Sequence, residues 1–247
     1  MEHITNCIVL HGQLQDIPQF SHENHGRRFF RFCMEVPRLS GAVDILPVIA
    51  EERLIADQEL WPGEEYTITG QIRSHNCRTE VSRRLLVFVF ATNLICESGE
   101  AMNDVILEGP LCREPTFRRT PLGREICDVM LAVPRAFRRA DYLPCILWGR
   151  TAQEVSACHT RDKIRICGRL QSRVYTKLTD TGPIERTAYE ISALSAEILD
   201  DCLYRCRGRR PRRPAPFPQF PLFNLGFLCY HREKGGESRG RKGFRHY

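Results

Sequence analysis

The stretch Asn6-Cys-Ile-Val-Leu-His-Gly-Gln-Leu14 returns as Asn103-Asp-Val-Ile-Leu-Glu-Gly-Pro-Leu111, a shift of 103 − 6 = 97 residues. Its apolar residues are spaced for a strand rather than a helix. The same shift carries Val36-Pro37-Arg38 onto Val133-Pro134-Arg135, and Asp44, Leu46, Pro47 and Ile49 onto Asp141, Leu143, Pro144 and Ile146. After one inserted residue, Gly70, Ile72 and Ser74 match Gly168, Leu170 and Ser172. A register sustained over four segments is the mark of an internal repeat, so the chain reads as two homologous β-rich units.

In the second unit the alternation places strands near 104–111, 125–133, 141–148, 163–175 and 187–198, with turns at Thr120-Pro-Leu-Gly123 and Asp180-Thr-Gly-Pro183. A short helix fits 150–159, and its counterpart in the first unit fits 51–60. Five short strands with a helix between the third and fourth is the order of an OB-fold, a Greek-key barrel. The fold class is therefore all-β: tandem OB-fold five-stranded barrels over 1–97 and 103–199. Leu-Pro inside both third strands predicts an edge position or a bulge. From 200 to 247 prolines and arginines alternate too densely for a packed sheet, which predicts a disordered, basic Pro/Arg-rich tail.

Of the net charge of +6 on this 247-residue chain, residues 1–97 carry −4, 98–199 carry +2 and 200–247 carry +8. The basic second half points to a polyanionic partner. No apolar run approaches the ~20 residues that cross a bilayer, and the first residues, Met1-Glu-His-Ile-Thr-Asn6, do not resemble a secretory signal. The chain is expected to work in the cytoplasm, with no membrane partner. Its 12 cysteines are scattered singly along apolar strands, as reduced buried thiols are.

The fourth strand of the second unit carries the sharpest pattern. Ile164, Ile166, Gly168 and Leu170 share one face, while Arg165, Cys167, Arg169, Gln171, Arg173 and Tyr175 share the other. In the third strand Tyr142 and Trp148 have one parity, provided Pro144 does not flip the register, and Phe137 lies just before them among Arg135, Arg138 and Arg139. Aromatic rings that stack bases, beside cations that neutralise phosphates, are what single-stranded nucleic acid requires. The stacking candidates are Phe137, Tyr142, Trp148 and Tyr175. The phosphate candidates are Arg119, Arg135, Arg138, Arg139, Arg165, Arg169 and Arg173. The competing reading makes these rings core, but the opposite parity already holds a complete aliphatic core.

The repeat supplies an internal control. Ser40, Ile45, Glu51 and Cys77 stand where the second unit has Phe137, Tyr142, Trp148 and Tyr175, and Thr67 and Gln71 replace Arg165 and Arg169. The first unit should therefore bind nucleic acid weakly or not at all, with Phe29, Phe30 and Phe32 read as core beside Arg27 and Arg28.

At this point residues 103–199 resemble the OB domain of bacterial single-stranded DNA-binding proteins. The resemblance rests on the opening strand, Arg113-Glu-Pro115, Arg119-Thr-Pro-Leu-Gly123, Leu131-Ala-Val133, Ile146-Leu-Trp-Gly149 and Gly168-Arg-Leu-Gln-Ser-Arg-Val-Tyr175. It implies sequence-tolerant binding and protection of single-stranded DNA in replication, recombination and repair. It also puts the base-stacking positions on Phe137, Tyr142, Trp148 and Tyr175. Members with one OB unit act as tetramers, which implies that this tandem chain forms a homodimer with four units. They end in an acidic, Phe-terminated tip that recruits other proteins, whereas this chain ends Arg-Lys-Gly-Phe-Arg-His-Tyr247.

The sequence holds no P-loop, dinucleotide fingerprint, His-Glu-x-x-His or Gly-x-Ser-x-Gly, which speaks against an enzyme. Cys202, Cys206, Cys229 and His231 are too irregularly spaced for a zinc site, so no metal or cofactor is expected. Two other readings remain: an adaptor in a primosome or mobile-element assembly, and a binder of single-stranded RNA, since stacking alone does not distinguish the sugar.

Overall fold

The first strands of the two repeats lie side by side. In the computed structural model, which describes residues 4–78, 83–179 and 182–199, the chain runs β1 (Asn6–Leu14), β2 (Gln19–Asn24), β3 (Arg27–Pro37), β4 (Val43–Glu51), α1 (Glu52–Ile55), β5 (Glu65–Arg78) and β6 (Arg83–Cys96). The second copy follows as β7 (Met102–Pro110), β8 (Thr116–Arg119), β9 (Glu125–Arg135), β10 (Arg139–Trp148), α2 (Gly149–Val155), β11 (Lys163–Thr179) and β12 (Gly182–Ile198). The sheet order, β2-β3-β4-β6-β5-β1-β7-β11-β12-β10-β9-β8, is the same in both copies read outward from the β1–β7 junction. That junction is antiparallel, from Asn6 opposite Leu107 to His11 opposite Met102. Each copy is a closed all-β barrel: β3 returns to β1 at Gln13–Glu35 and Leu14–Met34, and a bridge joins Leu111 to Leu131.

Residues the repeat holds constant do the closing. Asn6 bonds the carbonyl and N–H of Ile72 at 2.8 Å each, and Asn103 does the same to Leu170 at 2.7 and 2.9 Å. A Cβ on Gly70 or Gly168 would run into the carbonyl oxygen of Phe90 or Ser192, so strands cross there at a distance only glycine permits. The partner register shifts at the same two places, bending the hairpins β5–β6 and β11–β12 around their barrels.

Other constant residues join the copies. Asp141 accepts the N–H of Ser74 at 2.7 Å, and Asp44 accepts the N–H of Ser172 at 2.6 Å. Ser74 Oγ accepts the N–H of Tyr142 at 2.8 Å, and Ser172 Oγ that of Ile45 at 3.3 Å. Arg135 reaches Asp141 at 3.3 Å, and Arg38 Nε reaches Asp44 at 2.6 Å. One continuous core runs through both copies, from Ile8, Leu10, Met34 and Tyr66 to Leu107, Leu131, Leu143 and Ile166.

Several expectations are corrected. β8 is not among the expected strands: its four residues are all exposed and show no apolar alternation. The helices are shorter than 51–60 and 150–159. β11 and β12 extend to Thr179 and Gly182, on either side of the expected turn. Neither Leu-Pro proline makes a bulge or sits in an edge strand: β9 and β10 pair without a shift from Arg139–Arg135 to Trp148–Ile126. Pro144 is tolerated because the other flank of β10 meets β12 only at Cys145 and Ile146, one residue further on, and Pro47 precedes the Val48–Val89 pair likewise.

Nine cysteines among the described residues are free thiols. No described helix is long and apolar enough to cross a membrane. The tail of 200–247, with Cys202, Cys206, Cys229 and His231, lies outside the described residues.

Candidate nucleic-acid interface

In β10 alternation does the positioning. Leu143, Cys145 and Leu147 are buried, at 0%, 1% and 0% exposure, while on the other face Tyr142 is 45% and Trp148 38% exposed. Trp148 ends the strand, and its Nε1 donates to Ser192 Oγ of β12 at 3.2 Å, which fixes the indole while leaving part of it in solvent. Tyr175, 37% exposed, sits beyond the Gly168 bend on β11, where the Arg173 guanidinium lies 5.8 Å from its ring. Phe137 is 93% exposed, at the tip of a 3₁₀ turn, Ala136–Arg138, between β9 and β10. Phe137 and Arg138 both have left-handed backbone, φ 60° and 56°, which costs a non-glycine residue roughly 1–2 kcal/mol. The turn spends that energy holding an apolar ring out in water.

All four sequence-predicted rings are thus at the surface, and no buried core residue described in the second repeat is aromatic. None of the four has a close ring partner among the described residues, where the close aromatic pairs all belong to the first repeat.

The seven arginines divide into two groups. Arg119 pairs with Glu125 at 2.8 Å and, through that hydrogen bond, holds the carboxyl below its usual range. Arg165 lies between Glu108 at 2.7 Å and Glu197 at 3.8 Å. Arg173 bonds Glu190 at 3.3 Å, an acid also bound by Gln171 at 2.9 Å. Arg135 holds Asp141, as its counterpart Arg38 holds Asp44, which makes it part of the inter-repeat joint. Arg138 and Arg139, by contrast, are exposed with no ion pair among the described residues. Arg169 keeps a buried Nε without a hydrogen-bond partner among the described residues.

Two features escaped the sequence. Arg118 lies opposite Ile126, which in turn lies opposite Trp148, so it belongs to the Trp148 face, bound to Asp128 at 2.6 Å. On the first repeat the matching row is His22, Phe29 and Glu51. His22 stacks on Phe29 with centroids 4.9 Å apart and planes 12° from parallel, and Phe90, standing where the second repeat has Ser192, is 6.0 Å from Phe29. The first repeat has no ring at the four corresponding positions but carries aromatics at neighbouring ones. A position-by-position shift cannot find a ring that has moved to the next strand.

A model of the single-strand binding protein family matches residues 102–199. Single-stranded DNA-binding protein B of Bacillus subtilis is 36% identical over 80 residues, 30% of this chain and 71% of that protein. A single-stranded DNA-binding protein of Bacillus cereus is 38% identical over 81 residues, 30% of this chain, and the chain spans only 48% of that relative's length. The wild-type single-stranded DNA binding protein from Thermus aquaticus superposes with a TM-score of 0.65 at 22% identity, covering 85% of this chain and 96% of that one, which establishes the tandem OB-fold architecture. The second repeat, matched along its length by the family model and by most of the Bacillus subtilis protein, carries the assignment: the chain belongs to the single-strand binding protein family.

Proposed function

We propose that the chain binds single-stranded DNA without sequence preference, through the second repeat, with bases stacked on Phe137, Tyr142, Trp148 and Tyr175. The observation that carries this is the exposure of all four rings over a core that does not need them. A base stacked on such a ring is worth ~1–3 kcal/mol and any base will serve. Arg138, Arg139 and Arg169, which no carboxylate among the described residues holds, are the leading phosphate contacts. Arg119, Arg165 and Arg173 would contribute by exchanging a carboxylate for a phosphate. As a binding protein and not an enzyme, it would cover strands laid bare in DNA replication, recombination and repair, in the cytoplasm beside the nucleoid.

In this reading 103–199 is the binding domain, 1–97 its structural partner and 200–247 a basic arm adding phosphate contacts. Two chains in a homodimer would present four OB units, closed two-fold symmetry being the commonest arrangement. Titration of labelled oligo-dT and oligo-rU at two salt concentrations tests the function. The expected result is dT binding that weakens as salt rises, because counterions are released. Preference for rU would move the assignment to RNA, and failure to bind either would leave the adaptor role.

A further inference from the structure

A cleft of about 630 Å³ opens between the repeats, lined by Asn24, His25 and Arg73 of the first and Arg135, Phe137 and Arg139 of the second. Arg73 is held from two sides: its guanidinium lies 5.1 Å over the Phe90 ring, and one Nη donates to Gln71 at 2.6 Å. Its Nε is buried and has no hydrogen-bond partner among the described residues. The nearby carboxylate is Asp141, already bound to the Ser74 N–H and Arg135. Burial, and then the charge of Arg135, lower the proton affinity of Arg73, as expected of cations gathered without enough anions.

We propose that this cleft is a phosphodiester seat, in which Arg73, Arg135 and Arg139 hold a backbone phosphate of a strand stacked on Phe137, so that the first repeat takes part in binding. The proposal rests on the single-strand reading above. A phosphodiester fits better than a free anion because the exposed Phe137 ring lines the same cleft as the cations and offers a base of the same strand a stacking surface. A planar guanidinium held in place by a ring and an amide suits a phosphate oxygen.

The test uses the full chain and oligo-dT of about 30 nucleotides, longer than the ~4–16 that one OB fold covers. Each phosphate contact on a single strand contributes about 0.7 to the salt slope of affinity. Arg73→Gln should therefore lower the slope by about 0.7 and weaken binding about threefold at ~0.2 M salt. His25→Asp, at an exposed tip whose φ of 50° aspartate tolerates, should weaken binding without touching the packing of Arg73. Should Arg73→Gln fail to fold, His25→Asp decides. Wild-type affinity and slope in folded variants would overturn the seat while leaving the stacking face intact. Absence of binding by the wild-type chain would overturn the single-strand reading and the seat with it.

Discussion

Asp141 of the second repeat accepts the backbone N–H of Ser74 of the first at 2.7 Å, and the reciprocal bond, Ser172 to Asp44, measures 2.6 Å. Both carboxylates are fully buried. A carboxylate out of water persists only with donors and a counter-charge around it, and here the donors come from one repeat and the arginine from the other. Asp44, Asp141, Ser74, Ser172, Arg38 and Arg135 are the same in both copies because the joint between the copies uses each set once.

Asp141→Ala should therefore destabilise the whole chain by roughly 1–3 kcal/mol, the cost of buried donors left unmade, and Arg135 would lose its partner as well. Asp141→Asn should recover part of the loss. Thermal melting measures both, and an unchanged midpoint for Asp141→Ala would show that the joint carries no stability.

Gly168→Ala should be costly for a different reason, since its Cβ would meet the Ser192 carbonyl. Backbone cannot give way as a flexible side chain can, so the loss should exceed the roughly 1–3 kcal/mol typical of overpacking. Gly123→Ala has open space but a φ of +76°, and should cost only about 1–2 kcal/mol. Equal melting temperatures for the two variants would contradict the close crossing at Gly168.

The architecture was legible because both copies repeat one pattern: period-2 alternation marked the buried faces of β10 and β11, and Leu143, Leu147, Ile164, Ile166 and Leu170 are buried where parity put them. Tyr142, Trp148 and Tyr175 followed from the opposite parity, and Phe137 from its place among arginines just before β10. What sequence could not show depends on pairing between distant strands. β8 is four residues long and exposed on every one, Phe117 included, so its pairing with β9 leaves no alternation to read. Which arginines are free depends on where Glu108, Glu190 and Glu197 fall across the ladder. The shared Asp and Ser positions were visible as repeats, but their meeting across the β1–β7 junction was not.

Thiol reactivity should follow burial. Burial pushes the Cys127 thiol up to about 11, and Cys145, wholly enclosed, is raised as well. Since only the thiolate reacts, peptide mapping after brief alkylation at neutral pH should find the exposed Cys96 modified and these two protected until the chain unfolds. Early labelling of Cys145 would mean that the second barrel opens readily.

The platform rings should be worth more to the ligand than to the fold. Phe137→Ala, Trp148→Ala and Tyr175→Ala should each weaken oligo-dT binding by about 1–3 kcal/mol. Phe137→Ala should leave the melting temperature unchanged. Trp148→Ala also breaks the bond to Ser192 and should lose about 0.5–1.5 kcal/mol of stability. Unfolding of the Tyr175 or Phe137 variant would mean the rings serve the core.

Fluorescence of Trp148 tests the central claim most directly. The chain has two tryptophans, so Trp61→Phe isolates the signal of the one on the proposed platform. Titrated with oligo-dT, this variant should be quenched to saturation, with an affinity that falls as salt rises and with far weaker binding of duplex DNA of the same length. A Trp148 signal that oligo-dT leaves unchanged, or equal affinity for single strand and duplex, would contradict the account.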